Sequence, residues 1–135
     1  MDIKNLLEKI YTLFIETDVL VKSSQISDEI KEFIEKGEYE KAMRLLIYIL
    51  IFEMNHNSIC NKIIHKKIND YITILYKIDI FGPNDPNVIE KFIDLIVRFY
   101  LYSLEHKMDL RLNNEKRELI KARLIELANI IQWER

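Results

Sequence analysis

Two glycines in 135 residues, Gly37 and Gly82, constrain this chain more than any other feature of its sequence. A phosphate-cradling P-loop or a dinucleotide fingerprint needs two or three glycines within about eight residues, because the backbone must approach the phosphates closely. Here the two lie 45 positions apart, which excludes both nucleotide-binding families. All-β folds also draw on glycine for the positive φ of their tight turns. What remains is helix, and the apolar residues are spaced for it.

Residues 2–15 carry Ile3, Leu6, Leu7, Ile10, Leu13 and Phe14, a 3-4 spacing that makes one apolar stripe. Asp18 to Lys22 either continue this helix or break it. Ser23, Ser24 and Ser27 offer cap oxygens for a second helix with Ile26, Ile30, Phe33 and Ile34 on its inner face. Gly37 fits the position just past its end, where left-handed geometry excludes most side chains. The third helix, about Glu38 to Met54, contains the run Leu45 to Phe52, apolar all the way round, and is expected to be the central, wrapped element. Asn57 or Ser58 caps a fourth helix, roughly 58–78, with Ile64, Ile68, Tyr71, Ile72 and Leu75 inside.

Phe81-Gly82-Pro83-Asn84-Asp85-Pro86 is the clearest loop. Asp85 as cap with Pro86 at the first helical position starts a fifth helix, since the missing proline N–H is not needed there. That helix runs to about Lys107 with Ile89, Phe92, Ile93, Ile96, Phe99, Tyr100 and Leu104 inward. Asn113 or Asn114 starts the last, with Ile120, Leu124, Leu127, Ala128 and Ile131 inward. The short connections favour antiparallel neighbours. The expectation is an all-α fold: one domain over residues 1–135, a compact bundle of five to six antiparallel helices.

Composition narrows the setting. The single cysteine, Cys60, forms no intramolecular disulfide. The N-terminus lacks a basic region followed by an apolar one, and the longest apolar run is far short of the roughly twenty residues that span a bilayer. A cytoplasmic location without membrane contact is expected. The net charge of −2 removes the usual electrostatic footprint of nucleic-acid binding. Richness in Ile, Lys and Asn fits an AT-rich genome, as in many archaea, viruses and parasites.

Several constellations carry possible chemistry. His56, Cys60 and His65 are the candidate metal ligands, the first two at the i,i+4 spacing of one helical face. A solvated helix end and a buried small cysteine explain them better, since His65 is five positions beyond Cys60 and rotated away, and neither metal nor cofactor is expected. Lys116, Arg117, Lys121 and Arg123, with Arg111, form a basic cluster near the C-terminus that suits phosphate contacts. Glu115, Glu118 and Glu126 interrupt it, so a salt-bridged surface is the default. Lys62, His65, Lys66 and Lys67 form a smaller patch. The acids Asp28, Glu29, Glu32 and Glu35 read as a solvent face.

Two local resemblances bear on function. Lys36-Gly37-Glu38-Tyr39-Glu40-Lys41-Ala42 resembles the turn and second-helix start of a tetratricopeptide repeat, and implies a helical hairpin; no second copy follows. Arg98 and His106 resemble the Arg–His pair of the HEPN ribonucleases, small helical proteins that cut RNA as dimers. That resemblance implies an RNA-cleaving site with Arg98, Glu105 and His106. Seven residues intervene here instead of four to six, and Phe99 follows the arginine where a polar residue is usual.

The strongest positive signal is surplus apolar surface. Helices three and five are each apolar beyond one stripe, and a small domain has difficulty surrounding two such helices. The expectation is a non-enzymatic protein–protein interaction module, a homodimer or a small subunit of a larger assembly. Its interface anchors would be Phe92, Tyr100, Leu101, Tyr102 and Trp133, with Tyr100→Asp or Leu101→Asp the dissociating substitutions. The alternatives are a nucleic-acid-binding subunit or HEPN-like ribonuclease, and a viral factor that binds and inhibits a host machine.

Overall fold

A computed structural model describes residues 2–56, 61–106 and 112–133, apart from the side chains of residues 61 and 131–133. Six helices pack together, and no strand occurs among the described residues. They are α1 (Ile3–Glu16), α2 (Gln25–Glu35), α3 (Tyr39–His56), α4 (Asn61–Phe81), α5 (Pro86–Glu105) and α6 (Asn114–Trp133). The all-α bundle read from the sequence is the observed fold. Among the described residues no helix is long and apolar enough to cross a membrane.

Polar residues at the helix ends set the boundaries. Asp2 opens α1 by accepting the Lys4 N–H at 3.0 Å, and Ser24 opens α2 by accepting the Ser27 N–H at 3.1 Å. The open segment after α1 is a break. The helix ends at Glu16, and Asp18 turns left-handed with φ of 59°. An aspartate tolerates that geometry better than a branched residue would. The turn folds Val19 and Leu20 back into the core.

Gly37 ends α2 at φ of +77°. Glu38 N–H donates to the Phe33 carbonyl at 2.9 Å and Gly37 N–H to Ile34 at 3.2 Å, the paired bonds of a Schellman stop. The resulting α2–α3 hairpin is the one implied at Gly37. At α5, the Asp85 carboxylate accepts from Asn87 N–H at 2.8 Å and Val88 N–H at 3.4 Å, with Pro86 at the first turn. Asn113 accepts the Lys116 N–H at 2.8 Å and opens α6. The fourth helix runs three residues past its expected end, to Phe81. Its expected caps, Asn57 and Ser58, lie outside the described residues.

Each helix packs on the next along the chain, and α6 returns to α1. α5 lies between α4 and α6, with α1 reaching its third side. Phe14 of α1 meets Tyr100 edge-on at 6.1 Å, and the Tyr100 hydroxyl lies 3.2 Å from Thr17 Oγ1. Thr17 already donates its proton to the Leu13 carbonyl at 2.8 Å, so Tyr100 is the donor across this contact. A second polar tie, Tyr11 hydroxyl to Ser27 Oγ at 2.7 Å, joins α1 to α2.

Candidate interaction surface

The surplus apolar surface is real, but it is not where the sequence reading placed it. Phe92 and Tyr100 are fully buried and Tyr102 nearly so, inside the monomer. Three neighbouring helices cover α5, so its apolar excess is core and these three rings are not surface anchors. Leu101 alone of the described anchors faces outward, at 53% exposure. The Trp133 side chain lies outside the described residues.

α3 is the helix left uncovered. Its inner face holds Ala42, Met43, Leu46, Ile47, Leu50 and Met54, all fully buried. Its outer face carries Tyr48 at 52% exposure and Phe52 at 65%, one turn apart. The expectation that α3 is wrapped all round is therefore corrected. α1, α2 and α4 cover three sides, and nothing among the described residues covers the fourth.

Two contacts fix the register of α3 against its neighbours. Lys41 Nζ sits 5.7 Å over the Phe33 ring of α2, and Arg44 pairs with Asp79 of α4. Two turns along α3 from Lys41 is Tyr48; two turns back along antiparallel α2 from Phe33 is Ile26. Counting from the Arg44–Asp79 pair, Tyr76 and Ile72 of α4 come alongside Tyr48 and Phe52. Ile26 is 46% exposed, Ile72 53% and Tyr76 65%. Ile26 and Ile72, expected inside, are thus on the surface, because the buried faces of α2 and α4 centre on Ile30 and Ile34 and on Tyr71, Ile74 and Ile78. One apolar row crosses three helices, with the Arg44–Asp79 ion pair at its rim.

The other candidate sites are dispersed or neutralised. Arg98 pairs with Asp94 at 3.0 Å, one turn back on α5. His106 is the C-terminal cap of that helix, its ring 4.2 Å from Tyr102, while Glu105 is exposed. Within the chain the resemblance to the RNA-cleaving pair finds no shared site. Its polar partners are consumed locally. In the basic cluster, Lys116 reaches Asp18 at 2.8 Å, Lys121 reaches Glu118 at 3.4 Å, and Arg123 reaches Glu126 at 3.2 Å. Lys9 and then Arg123 hold the Glu126 carboxyl below its ordinary range by hydrogen bonding. Arg117 points to solvent, and Arg111 lies outside the described residues.

His56 ends α3 with its ring stacked on Phe52 at 5.9 Å, and His65 is exposed on α4. Cys60 lies outside the described residues. Among the described residues no group of three metal-ligating side chains converges.

With the geometry in place, comparison with known proteins adds nothing further: no protein-family model, curated protein or solved structure matches the chain. The apolar row across α2, α3 and α4 was missed in the sequence because it is assembled from single residues on three helices. The signal was present only as an excess on α3.

Proposed function

We propose that this protein is a non-enzymatic interaction module that pairs with a second copy of itself through the row Ile26, Tyr48, Phe52, Ile72 and Tyr76. The observation that carries the reading is the exposure of these five apolar side chains, each between 46% and 65%, on helices whose register sets them alongside one another. A fully buried aromatic removes roughly 150–250 Å² from water. With Ile80 one turn beyond Tyr76 and 53% exposed, the row offers on the order of 600–800 Å² per copy, close to the ~800 Å² of an ordinary stable interface. Apolar patches of this size on a monomer are commonly functional.

The row also suits self-pairing. A two-fold interface sets each surface against itself, so a charged face would oppose like charges. Here Arg44 and Asp79 neutralise each other at the rim, and the row between is uncharged.

Sedimentation velocity over the micromolar range tests the reading. A wild-type dimer is expected, reduced to monomer by Phe52→Asp or Tyr76→Asp with far-UV circular dichroism unchanged. Leu101→Asp, on exposed α5 surface away from the row, is expected to leave the dimer intact. Tyr100→Asp is expected to unfold the chain instead of dissociating it, since that ring is core. A wild type that stays monomeric at high micromolar concentration overturns self-pairing, and retention of the dimer by both row variants overturns the assignment of the face.

A further inference from the structure

On the flank of α4 opposite the apolar row, α4 and α5 enclose a groove of about 210 Å³. Its floor is apolar, formed by Tyr71, Ile74 and Leu95, all nearly or fully buried. Its walls carry four cations, Lys67, Lys77, Lys91 and Arg98, against two acids, Asp70 and Asp94. In a chain of net charge −2 this is a local reversal of sign.

The cations are spaced along the groove. Lys67 Nζ lies 6.0 Å over the Tyr102 ring, which fixes the antiparallel register of the two helices. Ten residues on from Lys67 is Lys77; ten back from Tyr102 is Phe92, the neighbour of Lys91. Lys77 and Lys91 therefore face each other at the end near the α4–α5 loop, about 15 Å along the axis from Lys67. Asp70 belongs to the other half; Asp94, three residues along α5 from Lys91, is already bound to Arg98 at 3.0 Å. Several other cations rest on carboxylates, as Lys9 does on Glu126, Lys116 on Asp18 and Arg123 on Glu16. Lys77 and Lys91 have no such partner among the described residues. Two ammonium groups on facing walls, neither in an ion pair, repel, and a bound dianion relieves that repulsion.

We propose that this groove binds a small phosphomonoester, its phosphate between Lys77 and Lys91 and its organic body over Ile74 and Leu95. A phosphate monoester carries close to two negative charges at neutral pH, matching the two lysines, whereas a carboxylate supplies one. The volume is below the roughly 300 Å³ at which drug-sized pockets begin, so the body is small. The site is independent of the self-pairing face, because it lies on the other flank of α4.

Phenyl phosphate is the probe, titrated into the full chain and followed by isothermal calorimetry and by amide chemical shifts, with benzoate as the single-charge control. Saturable binding of phenyl phosphate is expected, with shifts at the α4–α5 groove, and far weaker binding of benzoate. Lys77→Gln and Lys91→Gln are each expected to weaken binding about tenfold, the scale of one hydrogen bond to a charged group. Lys22→Gln, a lysine outside the groove, is expected to change nothing. Because both groove lysines are on the surface, circular dichroism should show all variants folded. Absence of saturable binding at millimolar phenyl phosphate overturns the proposal. So does equal binding of benzoate, or affinity unchanged in the Lys77→Gln/Lys91→Gln double variant.

Discussion

α3 and α5 are both apolar beyond a single stripe, and the bundle treats them differently. α5 has α4 on one side, α6 on the other and Phe14 of α1 with Thr17 just past its end across its third, so Phe92, Phe99 and Tyr100 are all fully buried. α3 has α1, α2 and α4, and turns Tyr48 and Phe52 to solvent. The difference lies in neighbours and not in residue type. Composition reports how much apolar surface a helix has; connectivity decides which helix is covered by the chain and which is left for something else to cover.

The largest test of that contrast sets one truncation against the same truncation elsewhere. Phe99→Ala removes a fully buried ring from α5 and is expected to cost about 3–5 kcal/mol, through lost burial and the cavity left behind. Phe52→Ala removes a ring that is 65% exposed and is expected to cost below about 1 kcal/mol in the monomer. Urea unfolding followed by circular dichroism, extrapolated to low protein concentration, measures both. Equal losses would mean that α3 is covered after all.

The hydroxyls of the α1–α5 contact give the next effect. Thr17→Val keeps the shape but removes the acceptor that Thr17 provides for the buried Tyr100 hydroxyl, at an expected cost of about 1–3 kcal/mol. Tyr100→Phe removes the donor itself and leaves Thr17 bound to the Leu13 carbonyl, so a smaller loss, about 0.5–1.5 kcal/mol, is expected. Reversal of that order would contradict the donor assignment. The comparison needs only the two single variants under one denaturant protocol.

How much of this was legible beforehand follows from the same physics. The caps at Ser24 and Asp85 and the stop at Gly37 are local, formed by residues within four or five positions, and the sequence shows them directly. The buried stripe of α1 was legible because all six of its spaced apolar residues face inward. Ile26, Tyr48, Phe52 and Ile72 were not. Each belongs to an apolar pattern that looks like core, and its exposure depends on which helices arrive beside it. At Arg98 a local contact is legible too: Asp94, one turn back, captures the arginine at a spacing the sequence does show. The groove between α4 and α5 is half visible in the sequence, since Lys67 belongs to a basic patch, but pairing Lys77 with Lys91 requires the hairpin register.

Burial of α5 and α4 also has a pH signature. Loss of solvent raises the Tyr100 phenol well above its ordinary value, an effect that its bond to Thr17 only partly offsets, and burial raises Tyr71 of α4 likewise. Below the ordinary phenol value of about 10, folded and unfolded chains both hold these protons, and the contribution to stability is intact. Above it the unfolded chain releases protons that the folded chain keeps. Stability is therefore expected to fall by about 1.4 kcal/mol per pH unit for each such tyrosine. Tyr100→Phe should remove its share of that slope, whereas the same change at exposed Tyr48 should leave the slope as it is. Urea midpoints measured from pH 9 to pH 11 read the difference.

The smallest expected effect concerns how α5 begins. Asp85 satisfies two amide donors of the first turn, Asn87 and Val88, and places a negative charge at the positive end of the helix dipole. Asp85→Ala removes both contributions, and a loss of about 1 kcal/mol is expected. Asp85→Asn should keep the hydrogen bonds and lose only the charge, with a cost of a few tenths. Added salt should shrink the loss from Asp85→Asn and leave most of the loss from Asp85→Ala in place, because salt screens the charge and not the hydrogen bonds. Because Val88, one of the two capped donors, is itself fully buried, fraying of this turn exposes core. The loss at Asp85 should thus exceed that of Asp2→Ala, whose carboxylate holds one amide donor, the Lys4 N–H, instead of two. Equal losses at the two caps would indicate that the second capped donor adds nothing, and no loss at Asp85 that α5 is held by its packing alone.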